Sequence, residues 1–163
     1  NKGSIYEGGH REPFLAKWSG RIKPGSTSDQ IISITDIFAT CGEIIGVPLT
    51  DNAGEDSVSF LNCLLGKQVG PFREASVQQS GKKALAIRKD KWKLIVHGDN
   101  KRELFDLNLD LGETNNIIRA HPQVAAELAS LLQSYLDRGR STPGKAQPLE
   151  YKILLDEIRF KKK

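Results

Sequence analysis

Residues 84–107 read Ala-Leu-Ala-Ile-Arg-Lys-Asp-Lys-Trp-Lys-Leu-Ile-Val-His-Gly-Asp-Asn-Lys-Arg-Glu-Leu-Phe-Asp-Leu, and this stretch decides the fold. Ala84–Arg88, Lys91–His97 and Glu103–Leu107 are β-compatible runs of strand length, and Ala75–Gln79 precedes them as another. In the middle run Trp92, Leu94 and Val96 alternate with Lys91, Lys93 and Ile95, the period of a half-buried strand. Lys89-Asp90 suits a tight hairpin, and Gly98-Asp99-Asn100 makes a second turn. Connections this short leave no room for a crossover, so the spacing predicts an antiparallel meander.

Toward the C-terminus a helix follows. Pro122 sits at the favoured first helical position, Val124, Leu128, Leu131, Leu132 and Tyr135 trace one stripe, and Gly139 ends it. That stripe predicts a helix lying across one face of the meander. Residues 139–148 read as a linker, and 151–160 as a last amphipathic helix. Toward the N-terminus, residues 1–12 are polar and Gly-rich and read as an unpacked loop, whereas Pro13–Trp18 is a short apolar run read as a strand. Turn chemistry around Pro24 and Gly25 separates it from a helix that Ser33 would cap with Asp36 three residues on. Ile37, Phe38, Cys41, Ile44 and Ile45 give that helix a broad apolar face, and Gly46 with Pro48 stops it. The organisation expected is therefore residues 1–70 as the edge of a larger α/β domain, 71–144 as an antiparallel subdomain with a packed helix, and 145–163 as a basic tail. The fold class is α/β, and α+β within this piece.

Composition narrows the function. The chain has 163 residues, 38% of them apolar and 27% charged, enough for a real core and too apolar for disorder. No stretch approaches the ~18 apolar residues that span a bilayer, so no membrane segment is expected. The net charge is +4, of which the tail 145–163 carries +3, from six bases and three acids. A solvated terminal lysine run accounts for that excess, and no nucleic-acid partner is expected. Cys41 and Cys63 lie outside any Cys-x-x-Cys or Cys/His spacing, which excludes a structural zinc site and leaves two buried free thiols as the expectation. Methionine is absent and the first residue is Asn1, so the chain reads as part of a longer product, with any signal peptide upstream.

Three places invite a chemical reading. Asp106-x-Asn108-x-Asp110-x-Gly112 resembles the start of a calcium loop, but its glycine comes one residue late and Ile117 occupies the position of the bidentate acid. Turn formation explains it instead. His10, His97 and His121 are too scattered for a triad or a metal cage. The N-terminal cluster Lys2, Tyr6, Glu7, His10 and Arg11 around Gly8-Gly9 fits a small anion pocket, because glycines let backbone amides approach a ligand.

The segment Lys2-Gly-Ser-Ile-Tyr-Glu-Gly-Gly-His-Arg-Glu-Pro-Phe-Leu-Ala-Lys-Trp-Ser-Gly20 resembles type I sulfatases of the arylsulfatase family. There a lysine precedes an aromatic-Glu-Gly-Gly-x-Arg-x-Pro signature and a strand ending in Trp-Pro-Gly, with Ser19 here in place of that proline. The resemblance continues through Asp36-Ile-Phe-Ala-Thr40, Phe60-Leu-Asn-Cys-Leu-Leu-Gly66 and the Arg88 to Trp92-Lys-Leu-Ile95 strand pair. It ends with Glu103-Leu-Phe-Asp106 through Asp110-Leu-Gly-Glu113-x-Asn-Asn116, where Leu111 replaces a common proline. It spans about residues 2–143, and the tail from Lys145 lies outside it.

The resemblance implies an alkaline-phosphatase-like enzyme that hydrolyses aryl or carbohydrate sulfate esters, using formylglycine and calcium held by Asp and Asn side chains. No Cys/Ser-x-Pro-x-Arg motif stands in this chain, and the metal-ligand pair expected shortly before Lys2 is absent from it. The calcium and formylglycine are thus expected in the parent protein, and this chain is expected to be inactive alone. Of the catalytic set Lys2 matches by position, as the sulfate contact; His10 is a weaker candidate lining the cleft, and Arg11 a support of the loop through Glu7 or backbone carbonyls. Partners implied are the rest of the catalytic domain and the sulfate-ester substrate, in a secreted or periplasmic setting. Two alternatives stand beside this: a basic-tailed module binding polyanions, and a phosphoryl-transfer enzyme of the same superfold.

Overall fold

The computed structural model describes residues 2–67, 69–81, 84–148, 151–155 and 159–162. The chain divides into two compact units. One comprises residues 1–12, 77–139 and 146–163, and the other residues 13–76 and 140–145. The expected division at residue 70 therefore changes at the N-terminus: residues 1–12 belong with the sheet, not with the segment that follows them.

The first unit is built on the expected meander. Strands β1 (Ser76–Gln79), β2 (Leu85–Lys89), β3 (Trp92–Val96) and β4 (Arg102–Asp106) form a sheet in that order. β2 pairs antiparallel with β3, and β3 with β4. Lys89 pairs with Trp92, so the hairpin turns on Asp90 and Lys91, with Asp90 at φ 52° in the left-handed region that a short acidic side chain tolerates.

Register defines the two faces. On one, Ile87, Leu94 and Leu104 stand side by side, fully buried. Helix α4 (Pro122–Arg138) contacts β2 and β3 and buries Ala125, Leu128, Leu132 and Tyr135. It has Pro122 in its first turn and ends at Gly139 in the left-handed conformation, as the sequence predicts.

The opposite face overturns the half-buried reading of β3. Ala84, Ala86, Ile95, Phe105 and Leu107 form a core with Ile5, and Tyr6 packs against it. The N-terminal segment is thus a packed element, and Ile5 is only 5% exposed. The sheet is covered on both sides, so Lys93, Leu94, Ile95 and Val96 are all fully buried. Burying an aliphatic side chain stabilises by about 1.5–3 kcal/mol, and each of these strands contributes on both faces.

The tail also departs from expectation. Where a helix was expected over 151–160, β5 (Tyr151–Leu154) and β6 (Arg159–Lys162) pair antiparallel, and the Leu155 amide donates to Gln133 of α4. Ten residues without a cap make a poor helix, whereas Tyr, Ile and Phe suit a ladder.

In the second unit, α2 (Asp36–Ile45) forms as expected and closes on Gly46 at φ 70°. The helix is capped at Thr35 without a side-chain bond, not at Ser33 as expected, although the Ser33 amide donates to the Asp36 carboxylate at 2.7 Å. Its interior contacts are polar. Asp36 is fully buried, accepts from the Val58 amide at 3.0 Å and pairs with Arg73, while Thr40 bonds the Phe60 amide. The apolar residues are the ones left outside: Ile37, Phe38, Ile44 and Ile45 are 41–71% exposed. Cys41 is likewise exposed and Cys63 half-buried, both free, which corrects the expectation of two buried thiols. Pro13–Trp18 forms no strand, since no described strand lies beside it to satisfy its backbone. A short helix α3 (Leu61–Leu64) follows, with Phe60 buried edge-on to Phe14.

The linker expected at 139–148 contains a buried anchor. Arg140 donates to the carbonyls of Asp51, Thr142 and Lys145 and to the Thr142 hydroxyl. Gly144, at φ 134°, is required beside it, because a Cβ there would stand 2.5 Å from the guanidinium.

Asp36 gathers buried donors of the second unit: it accepts from the Ser33 and Val58 amides and pairs with Arg73, whose guanidinium also reaches the Asp56 carbonyl at 3.4 Å. Asp36→Ala should therefore destabilise by about 3–5 kcal/mol, by removing the charge partner of the buried Arg73 and the acceptor of two amides. Urea unfolding of the chain followed by fluorescence of Trp18 checks this.

Candidate functional site

The N-terminal cluster is assembled by α1, a single turn at Glu7–His10, preceded by Ile5 and Tyr6. The sequence favours this shape locally. Gly3 takes φ 79° behind Lys2, in the left-handed region that favours glycine. What fixes its position is tertiary. Ile5 enters the sheet core, the Tyr6 hydroxyl donates to Glu103 at 2.7 Å, and Glu7 is held from three sides.

Glu7 is 7% exposed. Its carboxylate accepts from Lys93 Nζ at 3.0 Å and from Arg88 at 3.3 Å, while Arg11 stands at 3.9 Å. Its backbone amide donates to the Glu113 carboxylate, whose other oxygen lies 2.9 Å from Lys93 Nζ. Glu7, Lys93 and Glu113 therefore close a ring, with the ammonium between two carboxylates. Glu113 reaches this position because its backbone takes φ 54° at the end of the Asp106–Glu113 turn. Asp106 pairs with Lys91 at 2.7 Å and accepts from the Asn108 amide, and Asp110 accepts from the Thr114 and Asn115 amides. The acidic run is thus engaged in turns, and Asn116 ties the next residues to β4 through the Leu104 amide.

Beside the ring lies a second cluster. Glu103 accepts from Tyr6, from Lys101 at 2.8 Å and from His97 Nε2 at 2.7 Å. Burial pushes the Glu103 carboxyl upward, but the hydrogen bonds from Lys101, Tyr6 and His97 together outweigh it and bring it down to about 2. The Tyr6 hydroxyl is pushed up to about 12, first by its bond to Glu103 and then by burial and nearby negative charge.

Of the residues singled out beforehand, Lys2 is exposed at the open end of the docked segment and makes no ion pair with a described residue. His10 is half-buried on the last position of α1. Burial, then the charge of Lys93, holds its imidazole below the ordinary histidine range, against the opposing pull of Glu7 and Glu113. Its Nε2 is buried and finds no hydrogen-bond partner among the described residues. Arg11 stands 3.9 Å from Glu7 with its side chain exposed, while Lys93 and Arg88 stand closer. Lys93, Glu103 and Glu113 are the residues that sequence reasoning missed. The available signal was a lysine inside the apolar run Trp-Lys-Leu-Ile-Val, which a one-sided strand would leave in solvent.

Among the described residues no group of three or more His, Cys, Asp or Glu is placed to hold a metal ion. Within the acidic turn, Asp106 and Glu113 are committed to Lys91 and Lys93, and Asp110 to backbone amides.

A small antiparallel sheet with a helix on one face and a glycine turn docked on the other recurs in solved structures. A solved Bacteroides thetaiotaomicron sulfatase structure, from a study of the metabolism of multiple glycosaminoglycans, matches with TM-score 0.73 and 36% identity. It covers 82% of this chain and 30% of that one. A solved complex with D-glucosamine-2-N,6-O-disulfate matches at TM-score 0.60 and 26% identity, over 69% of this chain and 25% of that one. The family described as N-sulphoglucosamine sulphohydrolase, C-terminal, matches residues 1–141, and the chain belongs to it. Among curated relatives, an N-acetylgalactosamine-6-O-sulfatase of Bacteroides thetaiotaomicron is 37% identical over 84% of this chain and 29% of its own length. Human arylsulfatase A is 31% identical over 83% and 33% respectively. The chain thus spans about a third or less of the relatives it matches.

Glu103 titrates lower in the folded chain than unfolded. It therefore stabilises the fold above the ordinary carboxylate range, and that contribution disappears as pH falls from about 4.5 to about 2. Tyr6→Phe removes one of its donors, so acid unfolding should begin at higher pH, with a loss of ~1–2 kcal/mol at neutral pH. Thermal melts of both proteins between pH 2 and 7 test the shift.

Proposed function

We propose that this chain is the C-terminal part of a secreted or periplasmic sulfatase that hydrolyses aryl or carbohydrate sulfate esters, with Lys2 as its sulfate contact. The observation that carries the reading is the docking of residues 5–7 on the sheet, with Lys2 exposed just before them and in no ion pair with a described residue. A compact ammonium suits a sulfate oxygen, and it favours the negative charge that grows as the ester bond opens. His10 ends the turn that Glu7 opens, and it lines the cleft in this reading. Membership in the sulfatase family and relatives named for sulfated sugars support a sulfated carbohydrate as substrate.

The formylglycine nucleophile and the calcium belong, in this proposal, to the rest of the catalytic domain. That domain is also the partner for which the second unit is suited. Phe14, Leu15, Ile34, Phe38 and Ile45 are 46–94% exposed, more apolar surface than a helix and an extended segment leave in water without a covering element.

The test is sulfate-ester hydrolysis by the full-length protein carrying this segment, assayed with calcium on a chromogenic ester and on sulfated sugars. Lys2→Ala should lower kcat/KM by about 10²-fold or more, the cost of losing one preorganised charge contact. Unchanged activity removes Lys2 from the site. The 163-residue chain alone should show no turnover, and metal-dependent hydrolysis by it would overturn the reading.

A further inference from the structure

We propose that Lys93, on the sheet, is a positioning residue for the reaction, acting through Glu7 to set where Lys2 stands. The inference rests on the reading of Lys2 as the sulfate contact. It begins with an oddity of burial. Lys93 is fully buried in the middle of β3, in a row with Arg88 and Phe105. A buried ammonium is costly unless it is fully paired, and here both of its partners are carboxylates. One of them, Glu7, belongs to the segment that carries Lys2. The other, Glu113, also accepts the backbone amide of Glu7. Lys93 therefore sits at the point where the side chain and the main chain of one residue are both referred to the sheet.

The charges around it balance. Glu7 and Glu113 supply two negative charges, and Lys93 and Arg88 two positive ones, with Arg11 and the imidazole of His10 at the margin. Without Lys93, two buried carboxylates face each other and the Glu7 amide loses a settled acceptor. Glu7 opens the turn at Gly8–Gly9, so a shift of its side chain or amide is passed directly to that turn. Lys2 lies five residues before Glu7 and depends on the same anchorage. A shift of about 1 Å in a catalytic group costs up to ~10²-fold in rate.

The experiment uses the full-length sulfatase of the proposed reading and the variants Lys93→Met, Lys93→Met/Glu113→Gln and Lys2→Ala, alone and combined. Lys93→Met should lower kcat by ~10–10²-fold and speed amide exchange in residues 2–12. Lys93→Met/Glu113→Gln restores neutrality, and its amide can accept the Glu7 N–H and donate to the Glu7 carboxylate. It should recover most of kcat and of the exchange protection, and it also serves if Lys93→Met alone fails to fold. In the Lys2→Ala background, Lys93→Met should cost less than about twofold further, since both changes then remove one function. Fully additive losses, no recovery in the double variant, or unchanged exchange in residues 2–12 would overturn the positioning role while leaving Lys2 in place. Wild-type activity in Lys2→Ala would instead sink the reading on which the inference rests.

Discussion

The fold of the first unit depends on a lysine that cannot be in water. Lys93 lies in the interior of the sheet, and the free-energy cost of burying its ammonium is offset only where Glu7 and Glu113 converge on it. That constraint reaches in both directions along the chain. It requires residues 5–7 to cover the face of the sheet opposite α4, 86 residues away in sequence from the strand that holds the lysine. It also requires the turn after β4 to deliver Glu113 in a left-handed backbone conformation that a glutamate adopts only against a steric cost. A charge cluster thus gives specificity of placement that an apolar patch would not, because an ion ring has one geometry and a greasy contact has many.

Around that ring the polar groups are layered. Glu103 gathers Tyr6, His97 and Lys101 at the neighbouring position of the same face, and Ile5 packs into the apolar core with Ile95 and Phe105. The docked segment is therefore held by one hydrophobic plug, one phenol and one carboxylate on three successive residues. Lys2 and His10 lie on either side of this anchor. The second unit follows similar logic with different residues, since Asp36 and Arg73 organise the inner side of α2 while its apolar residues remain exposed.

Much of this was legible beforehand where local rules suffice. The four strands, the helix opened by Pro122 and closed by Gly139, and the stop of α2 at Gly46 all follow from periodicity and backbone preference. The failures share a cause. Pro13–Trp18 looked like a strand because it is apolar, yet a strand needs a neighbour, which sequence does not display. Ile37 and Phe38 looked like core because they sit on a stripe, and the stripe is the uncovered one. Arg140 looked like part of a linker, whereas its guanidinium gathers carbonyls from Asp51 to Lys145. The tail looked helical because ten mixed residues carry little period of their own.

The sequence by itself determined the meander, its packed helix and the resemblance of the Lys2–Gly20 segment to sulfatases, because spacing, turn residues and ordered motifs are properties of a line. It placed Lys2 and His10 in one polar cluster and went no further. Only the tertiary structure decided that the cluster is docked, that both faces of the sheet are buried, and that Lys93 and Glu113 are its anchors. Those decisions rest on ion pairs and hydrogen bonds between residues some 80 to 106 positions apart. A buried charge declares its partner only when the chain has folded around it.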